Sequence, residues 1–183
     1  MTVSLINRAQ SALWVIDVQD KLLNLIDDWQ RVLDNVMWLT GVARELGVPV
    51  LVSEQYPKGL GGTNADLLGV TGDAPVADKL AFSCVAAGCF DGLAGNDAGQ
   101  VVICGIEAHV CVLQTALDLI AAGREVFVVA DAIGSRGSID KALAIERLRT
   151  AGAIIVSREM VAFEWMRQAG TPEFKRISLN YLR

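Results

Sequence analysis

Residues 100–136 read QVVICGIEAHVCVLQTALDLIAAGREVFVVADAIGSR. Gln100 to Gly105 is a short apolar run, the pattern of a strand buried on both faces. His109 to Ala122 reads as a helix, closed by Gly123 where a C-cap glycine belongs. Val126 to Ala130 is a second apolar run and ends in acid at Asp131. A strand, a helix and a strand in that order predict two parallel strands joined by a right-handed crossover.

The same alternation extends in both directions. Upstream, Ser11 to Val18 (SALWVIDV) reads as a buried strand. Val32, Val36, Leu39, Val42, Ala43 and Leu46 then recur at helical spacing. Gly47 sits at the C-cap position, and Pro49 opens a strand over Val50 to Ser53. Residues 54–64 (EQYPKGLGGTN) crowd one proline and three glycines into a loop. A short segment ending near Lys79 and a helix within 84–95 complete this half. Downstream, Ser138 is the expected N-cap of a helix over 139–151, and Ala153 to Val156 is a fifth strand. Two helical segments follow, the last opened by Thr171-Pro172 with proline in its first turn. The expectation is one α/β domain over 1–183: three layers, α-β-α, around a mainly parallel sheet of five or six strands.

Composition narrows the function. The 183 residues are 52% hydrophobic and 20% charged, a globular balance with a formal net charge of −5. Such a chain carries no basic footprint for nucleic acid, and no apolar stretch is long enough to span a membrane. Met1 to Gln10 holds no run of signal-peptide length. The expected setting is cytoplasmic and the expected partner a small molecule. Cys84, Cys89, Cys104 and Cys111 form no CxxC pair, and His109 is the only histidine. A zinc finger or a thioredoxin-type pair is therefore not expected.

In parallel sheets, ligands bind beyond the carboxyl ends of the strands. That edge collects Asp17, then Ser53 to Gln55, Gly105 to Cys111, and Asp131 to Arg136. An acid and a cysteine thus emerge together. Cys111 lies in the first turn of its helix, where unpaired N–H groups favour a thiolate and can hold an oxyanion. The alternative is a small buried packing residue. Asp17 follows four apolar residues; desolvated there, it suits the role of base for a thiol, or else accepts hydrogen bonds from loop N–H groups. Lys79, by position alone, reads as a surface lysine paired with Asp78. His109 is two residues from Cys111, so the two side chains do not face each other.

Three stretches together resemble the isochorismatase-like cysteine hydrolases, a group with Rossmann-like architecture that includes nicotinamidases and N-carbamoylsarcosine amidases. LWVIDVQD (13–20) resembles the motif with the catalytic aspartate, KLAFSCV (79–85) the segment with the catalytic lysine, and GIEAHVC (105–111) the nucleophile loop. The resemblance implies Asp17 as base, Lys79 as the charge stabiliser and Cys111 as nucleophile. It also implies a cis peptide at Ile106–Glu107, with the N–H groups of Glu107 and Cys111 forming an oxyanion hole. Gln19, Gln55, Tyr56 and Phe82 are the expected substrate-binding residues, with Glu54 also shaping the pocket. EQYPKGLGGT (54–63), ERLRTAGAIIVSREMVAFEWM (146–166) and TPEFKRISLNYL (171–182) resemble the isochorismatase domain-containing branch.

Departures refine the expectation. The segment SEQYPKG lacks the histidines with which nicotinamidases bind metal, so no metal and no cofactor are expected. Cys111 argues against the vinyl-ether hydrolysis of isochorismatases proper. Ala108-His109 stand where the loop usually carries threonine. The function implied is a metal-free hydrolase of a small amide, carbamoyl or related C–N compound, acting through a covalent Cys111 intermediate. The alternatives are an isochorismatase-type vinyl-ether hydrolase and a non-catalytic binding protein on the same scaffold. Four tryptophans and a C-terminal segment mixing apolar and basic residues point to a homo-oligomer.

Overall fold

A computed structural model describes residues 4–182; residues 1–3 and 183 of the expected domain lie outside the described residues. Six strands and nine helices follow one another in it. They are β1 (Ser11–Ile16), α1 (Asp20–Leu23), α2 (Trp29–Glu45), β2 (Val50–Gln55), α3 (Pro57–Leu60), α4 (Ala65–Thr71) and β3 (Val76–Lys79). The second half runs α5 (Cys84–Ala87), β4 (Gln100–Ile106), α6 (Leu113–Ala121), β5 (Glu125–Gly134), α7 (Ser138–Ala151), β6 (Ile154–Val156), α8 (Arg158–Met166) and α9 (Pro172–Tyr181). A π turn over Ala108–Val112 leads into α6.

The strands form a single sheet in the order β3-β2-β1-β4-β5-β6. Every pair is parallel. All residues of β1 and β4 are buried, which is why these strands read as unbroken apolar runs rather than as alternating ones. Side-chain parity then sorts the core into two layers. Leu13, Val15, Val50, Val52, Val102 and Phe127 pack with α2, α8 and Ile177 of α9. Ala12, Trp14, Ile16, Leu51, Ile103 and Val128 pack with α6 and α7. On that second face Phe90 meets Trp14 edge-on, with ring centroids 4.8 Å apart.

From β1 the chain builds outward through β2 and β3; from β4 it builds the other way through β5 and β6. The direction of winding reverses between β1 and β4, and a crevice opens at such a reversal beyond the strand ends. The two central strands approach closely there. Gly105 has φ +114°, and a Cβ at this position would overlap the Ile16 carbonyl oxygen.

Four details differ from the sequence reading. The segment ending near Lys79 is a strand, β3, on the sheet edge. The helix expected within 84–95 stops at Ala87, because Gly88 turns left-handed with φ +60°. β5 does not end at Asp131: a register shift between Ile103 and Gly105 lets it re-pair and run on to Gly134. The helix opened by Ser138 has Gly137 as its N-cap, and the Ser138 side chain is not its cap.

Candidate active site

Parallel register brings the site together. Ile16 of β1 lies beside Ser53 of β2, and Gln55 of β2 lies beside Lys79 of β3. Ser53 and Gln55 share parity with Leu51, so they face the layer that holds α6 and Cys111. Asp17, one residue past β1, adopts φ +50° and turns its carboxylate toward that layer.

The carboxylate is fully engaged. Ser53 Oγ donates to Asp17 Oδ1 at 2.6 Å, and Lys79 Nζ donates to Oδ2 at 2.7 Å. Both side chains of this ion pair are wholly buried. Lys79 also donates to Gln55 Oε1 at 2.7 Å and to the Phe82 carbonyl at 2.9 Å. Three acceptors match the three N–H bonds of an ammonium, so this lysine is held charged in the interior. Burial is the largest single influence and pulls its pKa down, but Asp17 together with the neighbouring sulfurs outweighs it and leaves it raised. Lys79 pairs with Asp17, not with Asp78 as its sequence position suggested.

Cys111 is 5% exposed. Its Sγ lies 3.8 Å from Gln55 Oε1, the same oxygen that accepts from Lys79, and the charges of Asp17 and Lys79 act on the sulfur. Burial first, then the Asp17 carboxylate, pushes the thiol well above its ordinary range, against the opposing pull of Lys79. The depressed pKa expected from the helix N-terminus is therefore not found. Desolvation and a neighbouring anion outweigh the N–H groups, and the resting group is a thiol beside a base.

The loop that carries Cys111 holds the cis peptide that the resemblance implied. The Ile106–Glu107 peptide is cis. The Glu107 carbonyl accepts from the N–H groups of Val110 and Val112, and so skips that of Cys111. π turns of this kind occur often at functional sites. Glu107 Oε2 accepts from Arg136 N and Nε, each at 3.1 Å, which ties the loop to the end of β5. His109 does not reach toward Cys111; its Nδ1 meets Ser135 Oγ at 2.9 Å.

The expected substrate residues divide. Gln19 is fully buried. Its Nε2 donates to the carbonyls of Gln55 and Gly61, and its Oε1 accepts from Gln55 N. These bonds hold two loops together, and the side chain is buried away from solvent. Glu54 likewise pins the loop, accepting from Thr63 N and Oγ1. Gln55 belongs to the polar cluster itself. Tyr56 and Phe82 are each half exposed at the rim. Tyr56 lines an outer cavity of about 470 Å³ with Pro57, Lys58, Leu80 and Ala87; Phe82 and Cys111 do not line it. Ser53 and Cys84 were the residues the sequence did not single out. Ser53 was visible only as a member of the strand edge, and the Cys84–Cys89 spacing around Gly88 was the one available signal for the other. Among the described residues no group of three or more His, Cys, Asp or Glu is placed to hold a metal ion, and no helix is long and apolar enough to cross a membrane.

Residues 11–160 match the isochorismatase domain. A secreted isochorismatase effector of Phytophthora sojae is 40% identical over 92% of this chain and 82% of its own length. The mouse isochorismatase domain-containing protein 2A is 38% identical over 91% of this chain and 80% of its own. Among solved structures, one described as a ribonuclease from Caenorhabditis elegans superposes with a TM-score of 0.91 at 36% identity, covering 98% of this chain and 93% of that one.

Proposed function

The chain belongs to the isochorismatase family and is a hydrolase, and we propose that it cleaves the C–N bond of a small amide, carbamoyl or related compound through a covalent Cys111 intermediate. The observation that carries this reading is the buried Asp17–Lys79 pair, at 2.7 Å, linked to the Cys111 thiol through Gln55 Oε1.

In this mechanism Asp17 takes the thiol proton as the sulfur attacks the carbonyl carbon. Negative charge leaves the carboxylate and reaches the substrate oxygen, where the Cys111 and Glu107 N–H groups receive it. Lys79 stays protonated throughout and balances the charge wherever it sits. Asp17 then returns the proton to the leaving nitrogen. Water next gives a proton to Asp17 and attacks the thioester, which releases the acid and restores the thiol. Gln55 holds Lys79 and the sulfur in one plane of contact through its Oε1. No step calls on a metal or an organic cofactor.

A panel of amides, carbamoyl compounds, isochorismate and RNA tests the proposal. Turnover of an amide or carbamoyl compound is expected, with a Cys111 adduct visible by intact-protein mass spectrometry. Cys111→Ala is expected to lose it by at least three orders of magnitude while melting normally. Full activity in that variant would overturn the covalent mechanism, and isochorismate turnover that survives it would favour the vinyl-ether alternative. RNA cleavage would transfer the name of the C. elegans neighbour to this chain; the net charge of −5 argues against it.

We also propose that the protein works in the cytoplasm as a homo-oligomer. Leu80 is 76% exposed, and Tyr56, Phe82 and Val85 are exposed around the same rim, an apolar grouping of the kind that contacts a partner. Light scattering at micromolar concentration should give a multiple of the 19.6 kDa chain mass; the monomer mass would refute the assembly.

A further inference from the structure

The mechanism leaves two thiols beside the site unused. α5 ends in a left-handed Gly88. The Gly88 N–H bonds to the Val85 carbonyl at 3.0 Å, and the Cys89 N–H bonds to the Cys84 carbonyl at 3.3 Å. This pair of bonds is the Schellman closure, which brings the side chains three positions before the cap and two after it into contact. Here both side chains are cysteines. The fold therefore sets two thiols against each other by a backbone device, with glycine at the position that requires positive φ.

Their surroundings differ from those of the other thiols. Cys84 is buried and Cys89 partly exposed, so Cys89 stands between its partner and solvent. Cys84 packs in the layer that Ser53 faces, and the Ser53 hydroxyl donates to Asp17. The neighbouring Cys89 thiol outweighs burial and displaces the Cys84 thiol downward. The Cys104 thiol is held up by burial alone, and Cys111 by burial and Asp17. The thiolate is the form that oxidants attack, and Cys89 is the partly exposed member of the pair, open to an oxidant from solvent.

We propose that Cys84 and Cys89 are a built-in oxidation site that closes to a disulfide with hydroperoxides, in the same core layer that Ser53 and Asp17 face. One sulfur attacks the hydroperoxide and breaks its O–O bond, giving a sulfenic acid and an alcohol, or water when the oxidant is hydrogen peroxide. The second sulfur then displaces the sulfenic oxygen, which leaves as water. Two thiols and one hydroperoxide yield one disulfide, one alcohol or water, and one water. The S–S bond draws the Cys84 sulfur toward Cys89 within the layer that Ser53 faces, so the site would sense oxidation through the surroundings of the residue that orients Asp17. In a reducing compartment such a bond is transient, as redox-sensing disulfides are.

The test is peptide mapping of the folded full-length protein after a small excess of hydrogen peroxide and quenching with iodoacetamide. Cleavage before aspartates separates residues 78–90, which hold Cys84 and Cys89, from residues 97–117, which hold Cys104 and Cys111. The expected product is a 78–90 peptide lighter by two hydrogens and free of alkyl label, restored to doubly labelled by dithiothreitol. Cys89→Ser, at a partly exposed position, should fold and lose this product. A 78–90 peptide that remains doubly alkylated while Cys111 oxidises would overturn the proposal. So would disulfides between molecules, or the same mass loss in Cys89→Ser.

Discussion

Cys111 faces two opposed charges, and their signs make a prediction. Asp17 raises the pKa of its thiol and Lys79 lowers it. Asp17→Asn removes the raising charge and leaves the ammonium, so alkylation by iodoacetamide should shift to lower pH. Lys79→Met removes the lowering charge and should move the profile the other way. Turnover should be lost in both. A change that makes the sulfur more reactive yet abolishes hydrolysis separates a base from a mere electrostatic neighbour. Site-by-site labelling against pH, read on the 97–117 peptide, checks it. An Asp17→Asn profile unmoved or shifted upward would remove Asp17 from the role of base. The sequence alone pointed to a thiolate at a helix N-terminus, because that position is readable from order. The buried carboxylate that reverses the balance depends on register between strands and is not.

At the scale of elements, the closest constraint is where β1 meets β4. Gly105→Ala would place a methyl group against the Ile16 carbonyl and keep φ at +114°, a region an L-residue rarely occupies. Both strands are central, so neither moves aside without breaking ladder bonds on its other edge. A loss of more than about 4 kcal/mol is expected, the range reserved for backbone strain and core overpacking; urea titration measures it, and a midpoint near wild type would show that the two strands can part. Five strands were legible in the sequence because both of their faces are covered. β3 was not. It lies on the sheet edge with Val76 and Asp78 exposed, so only Lys79 at its end is buried like a core residue. The same fact explains why Lys79 looked like a surface residue and entered the site only through resemblance to a family. Asp17 and Cys111, by contrast, were placed on one edge by strand order alone, since the winding rule needs only the sequence of elements.

For the whole molecule, burying a polar cluster and thiols in a two-faced core ties stability to pH in one direction. Cys89, Cys104 and Cys111 have raised folded pKa values, and so does Lys79. A group raised on folding holds its proton in the native state after the unfolded chain has lost it. Its stabilisation is complete below the unfolded pKa and declines as pH rises toward the folded value. For the thiols the decline begins near pH 8.5, and for Lys79 near pH 10.4, the unperturbed values of about those figures. Cys84 runs the other way, since a lowered pKa adds stability as its unfolded counterpart ionises, but that gain is complete once the unfolded thiol has titrated. Above about pH 8.5 the raised thiols therefore dominate: buried Cys104 and Cys111 each remove about 1.4 kcal/mol per pH unit, and the partly exposed Cys89 acts in the same direction. Urea midpoints should hold between neutrality and pH 8 and fall steeply by pH 10. Cys104→Ala, which takes one buried thiol out of a strand far from any partner charge, should start lower at neutral pH yet fall less steeply, so that the two curves converge. Parallel curves would mean that the alkaline loss belongs to other groups, and that the interior does not hold its thiols protonated.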